Sequence, residues 1–141
     1  MSKSKRTVIK KRAWNWFSKY IRMRDCIATT GFKDRGVCVT CNTEYPFKGL
    51  QAGHAIGGRN DSILFDEELV NAQCADCNKK ACFGGLDGNY PKYHIWFIEK
   101  YGMDRFKEKT ELSEIINKIS APELEEISDK YRIKYNELRD S

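Results

Sequence analysis

The feature that most constrains the fold of this chain is a pair of CxxC motifs. Cys38 and Cys41 form the first motif, Cys74 and Cys77 form the second, and 32 residues separate them. Each motif places two sulfurs on one tight turn, so two turns together supply the four thiolates of a tetrahedral Zn²⁺ site. We therefore predict a structural zinc site. Its closed coordination shell positions other residues and leaves no coordination position for catalysis.

Two further cysteines, Cys26 and Cys82, have no partner at such a spacing, and we interpret them as small apolar side chains or free thiols. An even count of six also permits three disulfides. However, no apolar segment follows the N-terminal charges, so the sequence predicts no secretory signal, and the reducing cytoplasm is the expected location. A redox dithiol is the remaining alternative for a CxxC motif.

The length and composition allow one folded domain, or one domain with an arm. The chain has 141 residues, of which 40% are hydrophobic, as in an ordinary globular protein. No stretch approaches about 18 uninterrupted apolar residues, which argues against a membrane span. We predict a basic flexible arm over 1–10, a zinc-containing domain with a basic helix over 11–110, and a helical extension over 111–141.

The charge is distributed unevenly. The first 24 residues carry nine Lys or Arg and no acid, whereas the remaining 117 carry 16 bases and 20 acids. A concentrated cation at one end of a mildly acidic body indicates a polyanionic partner, most often nucleic acid. A solubilising tail is the alternative.

Hydrophobic periodicity predicts a mostly helical α+β fold. A loop is expected over 25–36 and a strand over 50–56. Helices are expected over 11–24, from Cys77 to Phe83, over 90–101, around 104–109, around 112–119 and from Ser120 or Ala121 onward. The apolar side of the last helix either packs on the body or meets a second copy, which leaves a homodimer open.

The residues between and after the cysteine motifs carry the candidate chemistry. His54 ends the predicted strand, and Asn78 directly follows the last zinc cysteine. Because the zinc joins strand to helix, we expect it to bring His54 and Asn78 towards each other. A neutral imidazole suits general-base work near pH 7, and an amide oxygen suits a hard cation such as magnesium. The alternatives are a core histidine and an asparagine that caps the following helix.

This order of motifs resembles the His-Asn-His superfamily of endonucleases, whose ββα-metal unit is often braced by two CxxC motifs. The resemblance implies that His54 activates water and that Asn78 binds a catalytic magnesium or manganese ion beside the scissile phosphate. It also implies a small zinc-stapled, HNH-like ββα-metal unit flanked by the N- and C-terminal helices.

A closer resemblance, from Trp14 to about Lys107, is to the phage NinG/Rap family of recombination endonucleases. The matching residues are Trp14, Ser18–Arg22, Arg24-Asp25, Cys38–Cys41, Ala52–His54, Phe65–Glu67, Gln73-Cys74, Cys77-Asn78, Gly84-Gly85, Asn89-Tyr90 and Tyr101-Gly102. The resemblance implies a bacteriophage hydrolase in the host cell cytoplasm, acting in DNA recombination. Its substrates would be branched DNA such as Holliday junctions and D-loops.

Two positions depart from the family pattern. Gln51 stands where the family usually has an aspartate, and Leu69 stands where it usually has an asparagine that orients the base. Asn71 is the candidate for the orienting role, and Asp66 or Glu67 for the missing carboxylate. The alternative function is a non-catalytic, zinc-dependent DNA-binding accessory of recombination. A zinc module that binds only protein is a third class.

The candidate DNA-binding residues are basic side chains of the N-terminal arm, of the first helix, of the glycine-rich loop over 57–61 and of the segment just after the second cysteine motif. They are Lys10, Lys11, Arg12, Lys19, Arg22, Arg59 and Lys79. Such side chains bind the phosphate backbone without distinguishing one base sequence from another.

Overall fold

The computed structural model describes residues 4–79 and 85–141, which form a mostly helical fold with two small antiparallel sheets. The helices are α1 (Lys5–Thr30), α2 (Asp61–Leu64), α3 (Ala75–Asn78), α4 (Tyr90–Tyr101), α5 (Met103–Ser113) and α6 (Ala121–Asp140). The strands are β1 (Arg35–Val37), β2 (Glu44–Pro46), β3 (Leu50–His54) and β4 (Val70–Cys74), and a 3-10 turn covers Phe47–Gly49. The predicted mixture of helices with a small sheet is thus confirmed.

Helix α1 is longer at both ends than the periodicity predicts. The hydroxyl of Ser4 accepts a hydrogen bond from the Thr7 amide and caps the N-terminus. The helix ends at Gly31, whose φ of 78° lies in the left-handed region that favours glycine. Residues 5–10 are therefore helical rather than a flexible arm. The loop expected from Asp25 is also wrong, because no glycine or proline interrupts the helix before Gly31.

The predicted start of α6 is confirmed, and its apolar side packs on α1. Ser120 caps the helix by accepting from the Glu123 amide. Tyr131 meets Phe17 edge-on, with ring centroids 4.7 Å apart. The sequence left two packing partners for this side of α6, the body of the protein or a second copy. In the structure it packs on the body, so the face that contains Tyr131 is not available to form a dimer.

The two-stranded sheet of β3 and β4 lies between helices. Its register pairs His54 with Val70 and Gly53 with Asn71. Val70 belongs to the same buried cluster as Phe17 of α1. On the other side, the Tyr93 hydroxyl of α4 donates a hydrogen bond of 2.7 Å to the Gly53 carbonyl. The strand predicted over 50–56 is confirmed as far as His54.

The segment between α5 and α6 differs from the prediction. The aromatic helix α4 ends at Gly102 as expected, but α5 extends to Ser113, and the separate helix predicted around 112–119 is wrong because residues 114–119 are not helical. Instead, Ile119 is fixed from both sides, because its amide donates to Asp61 and its carbonyl accepts from Arg6. Helix α3 ends at Asn78, and Lys79 is extended, so the helix predicted from Cys77 to Phe83 is wrong at Lys79. Residues 80–83 lie outside the described part of the chain.

No helix in the described part of the chain is both long enough and apolar enough to cross a membrane.

Candidate active site

The two CxxC motifs converge on one point. The Sγ atoms of Cys38, Cys41, Cys74 and Cys77 all lie within 4.8 Å of one another, and the Cys41 and Cys74 sulfurs are 3.9 Å apart. A tetrahedral zinc with Zn–S bonds of about 2.3 Å separates its sulfurs by about 3.8 Å. The four side chains therefore fit Zn²⁺, and the ion would be structural because all four of its ligands would come from the protein.

The chemistry of the four thiols also favours a bound cation. Burial raises the pKa of Cys74 to about 12. Burial acts in the same direction on Cys38, but hydrogen bonds from the Thr40 hydroxyl and from nearby backbone amides lower its pKa to about 7. Four thiolates this close repel one another, so a divalent ion is what allows them to ionise together.

Of the two cysteines outside the CxxC motifs, only Cys26 lies in the described part of the chain. Cys26 is buried against Leu50 and Ala72, which supports its interpretation as a small apolar side chain. Cys82 lies outside the described residues.

A cationic groove of about 390 Å³ runs beside strand β3. Arg22, Arg59 and Lys79 contribute its positive charges. Trp14 and Ser18 line it from α1, two turns and one turn before Arg22 respectively, and Gln51 and Asn78 supply amides. Three of the predicted DNA-binding residues therefore meet in one place. Trp14, Ser18 and Arg22 follow an i, i+4, i+8 spacing, a sequence signal that could have placed all three on one helix face.

The Asn78 side chain lies against strand β3, next to Gly53. Its Nδ2 donates to Gln51 Oε1 over 2.9 Å. A Cβ on Gly53 would lie 2.8 Å from Asn78 Oδ1 and 1.8 Å from Gln73 Oε1. Gly53 is thus the residue that lets both amide oxygens approach the strand. Gln73 is fully buried, and its Oε1 has no hydrogen-bond partner, although its Nε2 donates to Thr40 and to the Gly88 carbonyl.

His54 lies behind the wall of this groove. Only 7% of it is exposed, and its ring stacks on Trp14 with centroids 5.4 Å apart. The Arg59 guanidinium in turn lies over the Trp14 ring, 4.6 Å from its centroid. Strand alternation directs His54 and Gly53 to opposite faces of β3. The imidazole and the Asn78 amide therefore do not face each other across an open gap, contrary to the expectation from the sequence.

The hydrogen bonding of His54 fixes its protonation pattern. Nε2 lies 3.1 Å from the Leu64 carbonyl, which can only accept, so Nε2 carries the proton and Nδ1 keeps a free lone pair. Burial lowers the pKa of His54 to about 4, and the nearby Arg59 charge acts in the same direction. The ring is thus neutral at physiological pH. Leu64, which sequence analysis did not select, orients it.

Asn71 does not take the orienting role. Register places it opposite Gly53, on the other face of the sheet from His54. Its Oδ1 accepts from Arg24, and its Nδ2 donates to the Glu68 carbonyl and the Tyr93 hydroxyl. Asn71 therefore joins α1, β4 and α4 and makes no contact with the imidazole.

The acidic residues considered as metal ligands have other partners. Asp66 pairs with Lys109 at 2.6 Å and accepts from two backbone amides. Glu67 accepts from Tyr131 and Lys134. Neither lines the groove, and no carboxylate is found among the described residues that do. The aspartate absent at Gln51 therefore has no substitute there.

The remaining basic candidates lie elsewhere on α1. Lys10 pairs with Asp61 at 2.6 Å. Lys11, Arg12 and Lys19 are exposed, and the Lys19 ammonium lies over the Trp16 ring at 4.8 Å. None of these four lines the groove.

A family model described as bacteriophage lambda NinG protein matches residues 2–140, almost the entire chain. The chain belongs to the NinG family. No curated protein and no solved structure matches it. Membership in the NinG family agrees with the four-cysteine cluster, which the structure assembles from both CxxC motifs.

The zinc assignment predicts a specific loss in Cys41→Ser. Removing one of four thiolates should abolish the single bound zinc and lower the melting temperature, since structural zinc contributes on the order of 10 kcal/mol to folding. Zinc content by colorimetric release and thermal unfolding measure this. Cys26→Ala is the matched control, because it removes a buried thiol outside the cluster and should keep one zinc. A wild-type protein that folds without zinc would contradict the assignment.

The buried imidazole predicts a pH-dependent stability. The pKa of His54 is about 4 in the folded protein and 6.5 when exposed, so the unfolded chain takes the proton first. Its stabilisation is complete above about pH 6.5 and is lost as the pH falls towards 4, up to about 3 kcal/mol.

Chemical denaturation of the wild type and His54→Gln at pH 7.0 and 5.5 measures this difference. The variant, which has the same zinc ligands, should lose less stability between the two pH values. An NMR titration that places the His54 pKa near 6.5 would contradict it.

Proposed function

We propose that this NinG-family protein is a metal-dependent DNA endonuclease that hydrolyses phosphodiesters in branched DNA during phage recombination. The observation that carries the proposal is the groove beside β3. Three cationic side chains and the Asn78 amide line this groove, and the neighbouring strand ends in a neutral histidine. The order β3, β4, α3, with the second cysteine motif spanning the end of β4 and the start of α3, supports an HNH-like ββα unit.

In this proposal His54 is the general base. Its Nε2–H is fixed on the Leu64 carbonyl, so Nδ1 is the nitrogen that takes the proton of the attacking water. A pKa of about 4 keeps the ring unprotonated at neutral pH, although it also makes it a weak base. Because Trp14 stacks on the ring, the indole must turn aside when DNA enters the groove.

The catalytic cation has few ligands in this groove. Asn78 Oδ1 is the candidate protein ligand, and Gln51 Oε1 already accepts from Asn78 Nδ2. Mg²⁺ is usually held by one or two carboxylates together with substrate phosphates. The residues here fit the ion only when DNA completes its coordination shell. A bound magnesium or manganese ion would neutralise charge on the scissile phosphate.

The remaining groove residues bind substrate. Arg22, Arg59 and Lys79 present positive charge to the phosphate backbone, and Ser18 adds a hydroxyl at the same face of α1. None of these contacts distinguishes one base from another. The surface therefore supports recognition of DNA backbone and shape, with affinity that falls as salt rises.

One observation favours the second candidate, a non-catalytic DNA-binding accessory of recombination. His54 is almost completely buried, and the described lining of the groove contains no carboxylate. A protein of this kind would keep the zinc, the cations and the DNA affinity but would not cleave. The two functions therefore differ in hydrolysis and not in binding.

Cleavage of a labelled four-way junction with magnesium or manganese separates these functions. Under the endonuclease proposal the wild type nicks the junction. His54→Gln should reduce the rate by about 10²- to 10⁴-fold, the usual contribution of a general base. His94→Gln is the matched control, because it removes the other histidine, which lies on α4 away from the groove. Junction binding without cleavage supports the accessory function, and equal cleavage by His54→Gln excludes His54 as the base.

Restoring a carboxylate at position 51 should strengthen metal dependence. Gln51→Asp places an anionic ligand beside Asn78, so half-maximal cleavage should need at least about tenfold less magnesium, since hard cations prefer carboxylate oxygens. Gln51→Asn is the control with the same length and no charge. Magnesium titrations of the cleavage rate for both variants test this. An equal requirement in the two variants would show that position 51 does not contact the ion.

A further inference from the structure

We propose that a second cleft beside the groove holds one arm of branched DNA and that Ile116 packs against the bases exposed at the branch point. The inference rests on the DNA binding of the proposed function. It assigns the preference for branched over linear DNA to the segment between α5 and α6.

The second cleft has the charge of a phosphate-binding surface. It encloses about 290 Å³, and four basic side chains line it against a single carboxylate. These residues are Arg6, Lys10, Arg59, Lys118 and the carboxylate Asp61. Asp61 pairs with Arg6 and Lys10 and so fixes their positions, while an excess of positive charge remains for a polyanion.

Arg59 joins the two cavities, since it lines both of them. Its backbone has a φ of 48°, a left-handed conformation that costs free energy in a residue other than glycine. Its guanidinium lies over Trp14 at 4.6 Å. A phosphate backbone bound by Arg22 and Lys79 in the groove can therefore continue past Arg59 into the second cleft.

The segment that carries Ile116 is fixed at both ends. Asn60 donates to the Ser113 carbonyl over 2.6 Å. At the other end the Ile119 amide donates to Asp61 over 3.0 Å, and Arg6 donates to the Ile119 carbonyl over 2.9 Å. The residues between these anchors project from the body in a defined place at the edge of the cleft.

Ile116 is the most exposed large apolar side chain in the described part of the chain, at 96%, and its neighbour Ile115 is 53% exposed. A single exposed isoleucine is common on protein surfaces. Ile116 lies on the rim of a cationic cleft. DNA complements that charge with its phosphates and also has apolar surfaces, the faces of its bases. Linear duplex stacks its bases inside, whereas a branch point offers base faces against which an apolar wedge can pack.

The test compares Ile116→Ser with Ile95→Ser, which removes a 58%-exposed isoleucine from α4, outside both cavities. Binding is measured by fluorescence anisotropy without added magnesium or manganese. The probes are a labelled four-way junction and a linear duplex of the same arm sequence. We expect Ile116→Ser to weaken junction binding about tenfold, as loss of one buried isoleucine does. Duplex binding should change less than about twofold, and Ile95→Ser should match the wild type on both.

A second variant tests the cleft itself. Lys118→Gln should weaken junction and duplex alike and lower the slope of log affinity against log salt by about one. The proposal is overturned if Ile116→Ser weakens both DNAs equally, if it weakens neither, or if the wild type does not prefer the junction. A wild type that prefers the junction but does not cleave it contradicts the endonuclease alone. Absence of DNA binding contradicts both.

Discussion

Four sulfur atoms that meet at one point organise the centre of this protein. Cys38 and Cys41 lie after β1, while Cys74 ends β4 and Cys77 lies in the four-residue helix α3. Neither a three-residue strand nor a single helical turn is stable alone. Coordination of one zinc ion by all four thiolates would tie these short elements together. It would also fix Asn78, the next residue, against Gln51 and Gly53 of the neighbouring strand.

The groove beside β3 shows how packing and chemistry compete for the same residues. His54 contributes to the core by stacking on Trp14 and by donating to the Leu64 carbonyl. Burial lowers the pKa of His54 and keeps the ring neutral, although the hydrogen bond to Leu64 by itself raises that pKa; the same bond defines which nitrogen is basic. The stacking on Trp14 also buries the ring. In the proposed endonuclease, the stability of this structure therefore opposes access of water to His54 until DNA displaces part of the groove wall.

The acidic residues show the same competition. Asp66, Glu67 and Glu68 follow one another in the chain, yet each is bound to basic or hydroxyl groups of the C-terminal half. They connect the loop before β4 to helices α5 and α6. Because the carboxylates are engaged there, the groove is left with amides and cations, a composition suited to binding phosphate and poorly suited to holding a metal ion alone.

Short-range features of the sequence determined much of the fold. The spacing of the cysteines predicted the cluster, Ser120 predicted where α6 begins, and Gly102 predicted where α4 ends. Each of these signals depends on residues within a few positions of one another, or on a metal whose geometry is known in advance. The basic N-terminal segment and the strand ending in His54 were predicted on the same grounds.

Only the tertiary structure decided the environment of the side chains. The burial of His54, the use of Leu64 rather than Asn71 to orient it, and the ion pairs of Asp66 and Glu67 all join residues from distant parts of the chain. Arg6 and Lys10 also anchor the first turns of α1 to Asp61, which is a tertiary contribution to the N-terminal extension of this helix. A sequence pattern records which side chains are present and how they repeat. The pKa, exposure and partners of each depend on what folding brings beside it, and that is set by packing over the entire chain.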